Sequence, residues 1–470
     1  MNDLALAPIT ALASLIQSRQ LSSLELTQQM LQRIAHLDRR FHAYVTVTAD
    51  LALAQARAAD AAISAGNYRG PLHGIPIALK DLCYTKNIAT TCGAQMFGDF
   101  LPDQDGTVTR KLADAGAVLL GKLHMTEFAL RWHHPYRPIP VNPWGAGRWP
   151  GVSSSGSGVA VATGLCYGAI GTDTGGSIRF PAAANGVVGL KPTYGRVSRA
   201  GVFPLAGSLD NVGPLTRTVA DAAIWLRAIA GHDPLDPTSS TLPVPDYLAE
   251  LAKGLTSIRI GVDEAYLTDG VQPSVSQAVL AAVDVLRELG AELVTVTVPE
   301  PDLDEMVKAW YLLTAADALV AHEGVYPERR DDYGPFRELL DDGAKASAQD
   351  YAKAHQLREE TAFRMTQLFD DIDVLITPTM PTTAPRMDAS GAPLIQEGYV
   401  RARYTYPYNF SRHPTLSLPC GFDEERLPVS LQLVGRHFGE DLICRVGHVY
   451  EQATEWHKAV PTLLSNEQNG

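Results

Sequence analysis

GVSSSGSGVAVATGLCYGAIGTDTGGSIRFPA, residues 151–182, sets two of its serines apart: Ser153 within a Gly/Ser run and Ser177 after a glycine pair. By composition its first eight residues, Gly151-Val152-Ser153-Ser154-Ser155-Gly156-Ser157-Gly158, would make a flexible linker. The next eight exclude that reading. Residues 159–166 are apolar and small, suited to close packing on every side rather than to solvent, so the serines lead into a buried element. Residues 167–171 then have the character of a short buried strand, and Thr172-Asp173-Thr174-Gly175-Gly176-Ser177 forms a tight turn behind it. Glycines in such a turn let backbone N–H groups come close to a ligand. A nucleophile flanked by those donors suits acyl transfer, because they can stabilise the oxyanion that develops on the attacked carbonyl.

Upstream, Leu72-His73-Gly74-Ile75-Pro76-Ile77-Ala78-Leu79-Lys80-Asp81 reads as a short apolar strand that ends in a lysine, with Pro76 near the strand start or on an edge. A lysine at a strand end is ordinarily solvated. Desolvation can nevertheless lower a lysine pKa enough to supply a neutral amine base at pH 7, given a partner serine. Residues 105–120 read as a helix with Val108, Leu112 and Ala115 at helical spacing, then a buried strand over 116–120 that Gly121-Lys122 leaves. From 129 to 149 the chain is irregular and aromatic, with Trp132, His133, His134, Tyr136, Trp144 and Trp149 among prolines. Such a loop walls a pocket or carries a small cluster of its own.

Nearer the N-terminus, Ser22 and Glu25 stand in capping-box spacing ahead of Leu26, Met30, Leu31 and Ile34, and an Ala-rich helix is expected over 49–65. Downstream, residues 221–230 read as a helix, 258–262 as a strand, 274–289 as a helix and 293–298 as another strand. Alternation of this kind predicts an α/β fold: a single large mixed, mostly parallel β-sheet covered by helices on both faces. We expect one domain over 1–470, with a core at about 65–230 and a C-terminal portion at about 255–460 that completes the sheet and pocket. The turn-laden stretch 231–245 is not read as a boundary.

A formal net charge of −13 over 470 residues disfavours nucleic acid or an anionic membrane as the main partner. No apolar run reaches the roughly 18 residues needed to cross a bilayer. The apolar residues 4–16 follow Asp3 with no Lys or Arg before them, so no signal peptide is expected. Five cysteines, Cys83, Cys92, Cys166, Cys420 and Cys444, are few and odd in number, which predicts buried thiols in a reducing cytoplasm. Metal-ligand spacings, the Walker pattern and the Rossmann fingerprint are missing, so neither a metal nor a cofactor is expected.

Taken together, Gly-x-Ser-Ser-Ser-Gly at 151–156, the run from Gly171 to Pro181, Gly189-Leu190-Lys191-Pro192-Thr193 and the Lys80-Asp81 strand resemble the amidase signature family. The separation of Ser153 and Ser177 (177 − 153 = 24) matches that family's pattern. The likeness extends to the helix after Ser22, to Gly207–Pro214 written as GSLDNVGP, to Asp373-Val374-Leu375-Ile376-Thr377-Pro378-Thr379 and to Leu427-Pro428-Val429-Ser430-Leu431-Gln432-Leu433-Val434-Gly435, nearly the whole chain.

The resemblance implies a serine amidohydrolase with Ser177 as nucleophile, Ser153 as relay and Lys80 as base. It further implies an acyl-enzyme intermediate, a cis peptide at Ser153, and backbone N–H groups of Thr174, Gly175, Gly176 and Ser177 as oxyanion hole. Asp173 and Arg179 would anchor the turn. Met125 and Trp132 are the candidate substrate contacts, with the rest of specificity expected in 125–149 and after 300. Two family glycines are replaced, by Val152 and Ser155, and His124 stands where many relatives carry asparagine. The expected partner is a small-molecule amide or related anilide, ester or carbamate, with homodimerisation left open. The alternative is the amidase subunit of a multiprotein amidotransferase. Relatives of that kind hold glutamine with an arginine-bearing segment shortly before a glycine, whereas Glu338-Leu339-Leu340-Asp341-Asp342-Gly343 has its nearby arginine one step earlier, at Arg337. Glutamine specificity is disfavoured on that ground.

Overall fold

The computed structural model describes residues 4–395 and 400–465. Its eleven strands are β1 (Tyr44–Val47), β2 (Pro76–Lys80), β3 (Val118–Leu123), β4 (Gly168–Asp173), β5 (Val188–Lys191), β6 (Asn211–Thr216), β7 (Arg259–Val262), β8 (Glu292–Thr295), β9 (Val374–Pro378), β10 (Thr415–Phe422) and β11 (Pro428–Gly435). They form one sheet in the order β1-β3-β2-β4-β6-β5-β10-β11-β9-β7-β8. Every residue of β2, β3, β4, β5, β6, β9 and β11 is buried. Successive strand residues point to opposite faces, so the middle of the sheet is covered on both.

The sheet is mixed, as expected, with a larger antiparallel share than the sequence suggested. Parallel pairing occurs in two groups, β3-β2-β4 and β9-β7-β8. Between them β4-β6-β5-β10-β11-β9 is antiparallel throughout. A parallel pair needs a crossover connection, usually helical. Residues 423–427 alone join β10 to β11, which leaves room for a hairpin only.

Local expectations fare similarly. Ser22 caps the helix Ser23–Phe41, its hydroxyl accepting from Glu25 N–H while the Glu25 carboxylate accepts from Ser22 N–H. Pro76 opens β2, where its missing N–H costs no central ladder bond. β3 runs on through Gly121-Lys122-Leu123 instead of ending at Leu120. The reason is charge compensation: Lys122 Nζ lies 3.4 Å from Asp81 Oδ1 and donates to Cys83 O and Thr90 Oγ1, so a lysine can remain inside a strand.

The Gly/Ser run is no linker. Ser155–Ala162 is a helix with all eight residues buried. A Cβ on Gly156 would sit 2.6 Å from the carbonyls of Ala43 and His124, and one on Gly158 would sit 2.6 Å from Asn185 Nδ2. Those glycines let the helix press against its neighbours, which fixes the segment that carries Ser153. Among the described residues no helix is long and apolar enough to cross a membrane.

Candidate active site

Lys80 ends β2 in the interior of the sheet, with no exposed surface. Register brings its partners to it, since Ala78 pairs with Ala169 and Leu79 with Ile170 across β2 and β4. Lys80 Nζ thereby lies 2.7 Å from Ser153 Oγ and 2.7 Å from Thr172 Oγ1. Burial brings its pKa down from 10.5 to about 7, while Cys83, Asp210 and Asp173 pull the other way. The amine is thus poised between its charged and neutral forms near neutral pH.

Ser153 is fully buried, and the Val152–Ser153 peptide bond is cis. The replaced glycines keep clear of this contact. Val152 lines the adjoining cavity, and Ser155 Oγ lies 3.0 Å from His133 Nε2. Burial pushes the His133 ring down to about 3, so it stays neutral at physiological pH. His124 is buried as well, its backbone N–H donating to Ala43 O, and it does not line the cavity.

The turn after β4 is held by an ion pair. Arg179 Nε and Nη2 reach the two Asp173 oxygens at 3.0 and 2.9 Å, with both side chains fully buried. Burial alone would raise the Asp173 pKa, but the Arg179 guanidinium outweighs it and holds the carboxylate well below the usual range. Asp173 also accepts from Gly176 N–H at 2.7 Å, Ile178 N–H at 3.1 Å and Asn409 Nδ2 at 2.9 Å. Arg179 continues outward to Thr405 O, Gln432 Oε1 and Asn409 Oδ1.

Further bonds fix the carbonyls of the same turn. Trp310 Nε1 donates to Thr174 O at 2.9 Å, and Thr405 Oγ1 donates to Gly175 O at 2.8 Å. The Thr174 hydroxyl donates to Asp210 Oδ1 at 2.5 Å. With those carbonyls turned toward protein, the Gly175 and Ser177 N–H groups have no partner among the described residues. Gly176, the remaining glycine of the turn, gives its N–H to Asp173. A side chain at Gly175 would collide with Tyr406 and Trp310 at 2.8–2.9 Å, so this turn is packed as tightly behind as it is open in front.

Ser177 is half-buried and opens into a cavity of about 560 Å³. Thr174, Gly175 and Trp132 line it too, as do Trp149, Phe180, Trp310 and Tyr406. The cavity draws on residues 129–132 and 149, on the helix Leu303–Ala321 through Val307 and Trp310, and on Ala392, Pro393, Ile395, residues 400–402 and Tyr406. Met125 is fully buried and lies outside the lining. Lys80, Ser153, the turn and Trp132 are therefore gathered at one place.

Nothing in the sequence alone assigns a role to Thr172, Asp210, Trp310, Thr405, Asn409 or Gln432. Hydroxyl and amide groups of this kind carry no local signal. Strand register and the approach of distant segments alone make them neighbours of Lys80 and Asp173.

The chain matches the family profile described as "Amidase" over residues 25–444. It is 45% identical over 461 residues to the Mycobacterium tuberculosis protein named "Putative amidase AmiD", covering 97% of this chain and 96% of that one. It is 42% identical to a glutamyl-tRNA(Gln) amidotransferase subunit of Moorella thermoacetica, covering 96% and 97% of the two chains. Among solved structures, the native peptide amidase of Stenotrophomonas maltophilia superposes with a TM-score of 0.85 at 32% identity, over 98% of this chain and 99% of that one.

Proposed function

The chain belongs to the amidase signature family, hydrolases of carbon–nitrogen bonds other than peptide bonds, and from that premise we propose that it cleaves a carboxamide-type bond through an acyl-enzyme on Ser177. Neutral Lys80 takes the Ser153 proton as Ser153 takes that of Ser177, and Ser177 Oγ attacks the carbonyl carbon. The N–H groups of Gly175 and Ser177, with that of Thr174, receive the oxyanion, while Gly176 holds the turn through Asp173. Collapse breaks the C–N bond, and the proton returns through Ser153 to the leaving nitrogen. Water then attacks the Ser177 ester by the same relay, releasing the acid.

One observation supports these roles above the others: a lysine with no exposed surface, its pKa near 7, lies 2.7 Å from a buried serine hydroxyl. Of the other two fully buried lysines, Lys122 lies beside Asp81 and Lys191, whose pKa burial also lowers to about 7, donates to Pro192 O, so the partner hydroxyl of Ser153 is what sets Lys80 apart. Ser177→Ala is expected to abolish both hydrolysis and labelling by a fluorophosphonate while leaving the melting curve in place. Continued labelling of that variant would sink the nucleophile. A panel of amides, anilides, esters and carbamates given to the protein alone defines the acyl chemistry.

The likeness to an amidotransferase subunit favours a second reading, in which a partner protein takes up released ammonia. The segment that would hold glutamine does not support it. Arg337 and Glu338 line a separate depression with His134 and Tyr136, away from Ser177. Copurification with a partner, together with glutaminase activity of the complex, would establish it. A reducing compartment suits the five free, buried cysteines.

A further inference from the structure

The cavity in front of Ser177 carries two arginines and, among the described residues, no Asp or Glu in its lining. Arg401 stands at its wall with the guanidinium 4.1 Å from the Trp149 ring centre and 5.5 Å from that of Phe180. Phe180 is the ring that packs on Gly176, one helical turn beyond the nucleophile, so this cation stands close to the reacting centre. Arg401 Nη1 is closed off from bulk solvent and has no hydrogen-bond partner among the described residues. Arg131, exposed at the rim, lies over the rings of Trp132 and Tyr311. The two cations feel each other: burial first, and Arg131 after it, lower the Arg401 pKa to about 10.

A guanidinium nitrogen closed off from water, on an arginine with no carboxylate partner among the described residues, is costly, and most of the buried arginines here avoid it. Arg179 has Asp173, and Arg196 has Glu440 at 3.5 Å. Aromatic faces compensate Arg401 in part, but they leave its in-plane donors unused. Those donors match a planar anion. In a chain of net charge −13, a cavity whose charged lining is wholly positive among the described residues draws anions selectively.

We propose that the substrate carries a carboxylate, held by Arg401 and guided in by Arg131, beside the bond that Ser177 attacks. The anion comes without a neighbouring ammonium, because no acidic side chain among the described lining residues would receive one, and an α-amino acid such as glutamine fits poorly. This proposal rests on the Ser177 reading above.

The test compares N-succinyl p-nitroanilide with N-butyryl p-nitroanilide, and 4-acetamidobenzoate with acetanilide, placing the carboxylate on either side of the scissile bond. All four compounds are also tried as protectants against fluorophosphonate labelling of Ser177. Wild type should favour the anionic member of at least one pair by about tenfold or more, in kcat/KM or in protection. Arg401→Gln should erase most of that preference, and Arg401→Lys should restore part of it by keeping the charge. Equal or better use of the neutral members, or equal losses for both members in Arg401→Gln, overturns the proposal while Ser177 stays labelled. Absence of labelling in wild type overturns the nucleophile instead.

Discussion

At the scale of single residues, the chemistry turns on how Lys80 is kept from being an ordinary cation. In the proposed mechanism its neutral form acts as the base, so kcat/KM should rise with pH through about 7 and flatten above it, the acidic limb reporting the free enzyme. Stability follows the same titration. The folded pKa lies below the unfolded value of 10.5, so the unfolded chain binds more protons between about 7 and 10.5, and stability due to this group rises with pH across that window. Lys80→Met removes the desolvated amine while keeping the volume. It should lose about 10³-fold in activity. Its melting temperature should match or exceed that of wild type at pH 6, with the advantage shrinking toward pH 10; thermal melts across pH check this, and an unchanging gap would reject the buried-base account. Lys80, Ser153 and Ser177 were legible because each lies in a distinctive local run. Thr172, the other contact of Lys80 Nζ, was not, since only the β2–β4 register brings it there. Arg131 and Arg401 were equally silent, as arginines whose meaning depends on what the fold gathers around them.

At the scale of elements, the turn between β4 and the helix Arg179–Asn185 is the part that most needs support. Asp173 gathers two backbone N–H groups and Arg179, and the distant Trp310 and Thr405 fix the carbonyls on the other side. Breaking a buried pair from one side leaves an uncompensated charge, so Asp173→Asn should cost about 3–5 kcal/mol in urea unfolding. Because the folded pKa of Asp173 lies below its ordinary value of 3.8, that contribution is fully present above the ordinary value and is lost only as pH falls through the folded one. The gap between wild type and variant should therefore stay constant from about pH 5 to 8. Trp310→Phe is a finer probe. It keeps a ring against Tyr406, now stacked at 4.5 Å, but withdraws the donor to Thr174 O. Loss of a direct oxyanion donor costs about 10²–10³-fold in kcat, and loss of this positioning bond should cost about tenfold, with KM little changed. A KM effect alone would make Trp310 a wall of the cavity and nothing more.

At the scale of the molecule, the sequence showed which segments alternate but not how the sheet is sewn together. Parallel groups follow from helix-bearing connections near 80–120 and 255–300. The antiparallel middle depends on one pairing between segments more than 200 residues apart, Thr415 with Lys191, which no local pattern records. That middle bears on whether the chain is one folding unit. β5, from the part that carries both serines, pairs with β10 from the C-terminal part. Arg179 spans the same seam, reaching Thr405, Asn409 and Gln432. A fragment of residues 1–255 would expose the β5 edge and leave Arg179 with Asp173 alone in a half-open core. Bare strand edges invite association, and partly satisfied buried networks are worse than none. We predict that this fragment is aggregated or molten when expressed alone and that its Ser177 is not labelled by a fluorophosphonate. In the full chain, loss of far-UV circular dichroism and loss of labelling should coincide on one urea transition. A soluble, labelled fragment, or two separated transitions, would divide the chain into independent halves. Because Arg401 and Tyr406 come from the C-terminal part and Ser177 from the other, the cavity itself exists only while the seam is closed.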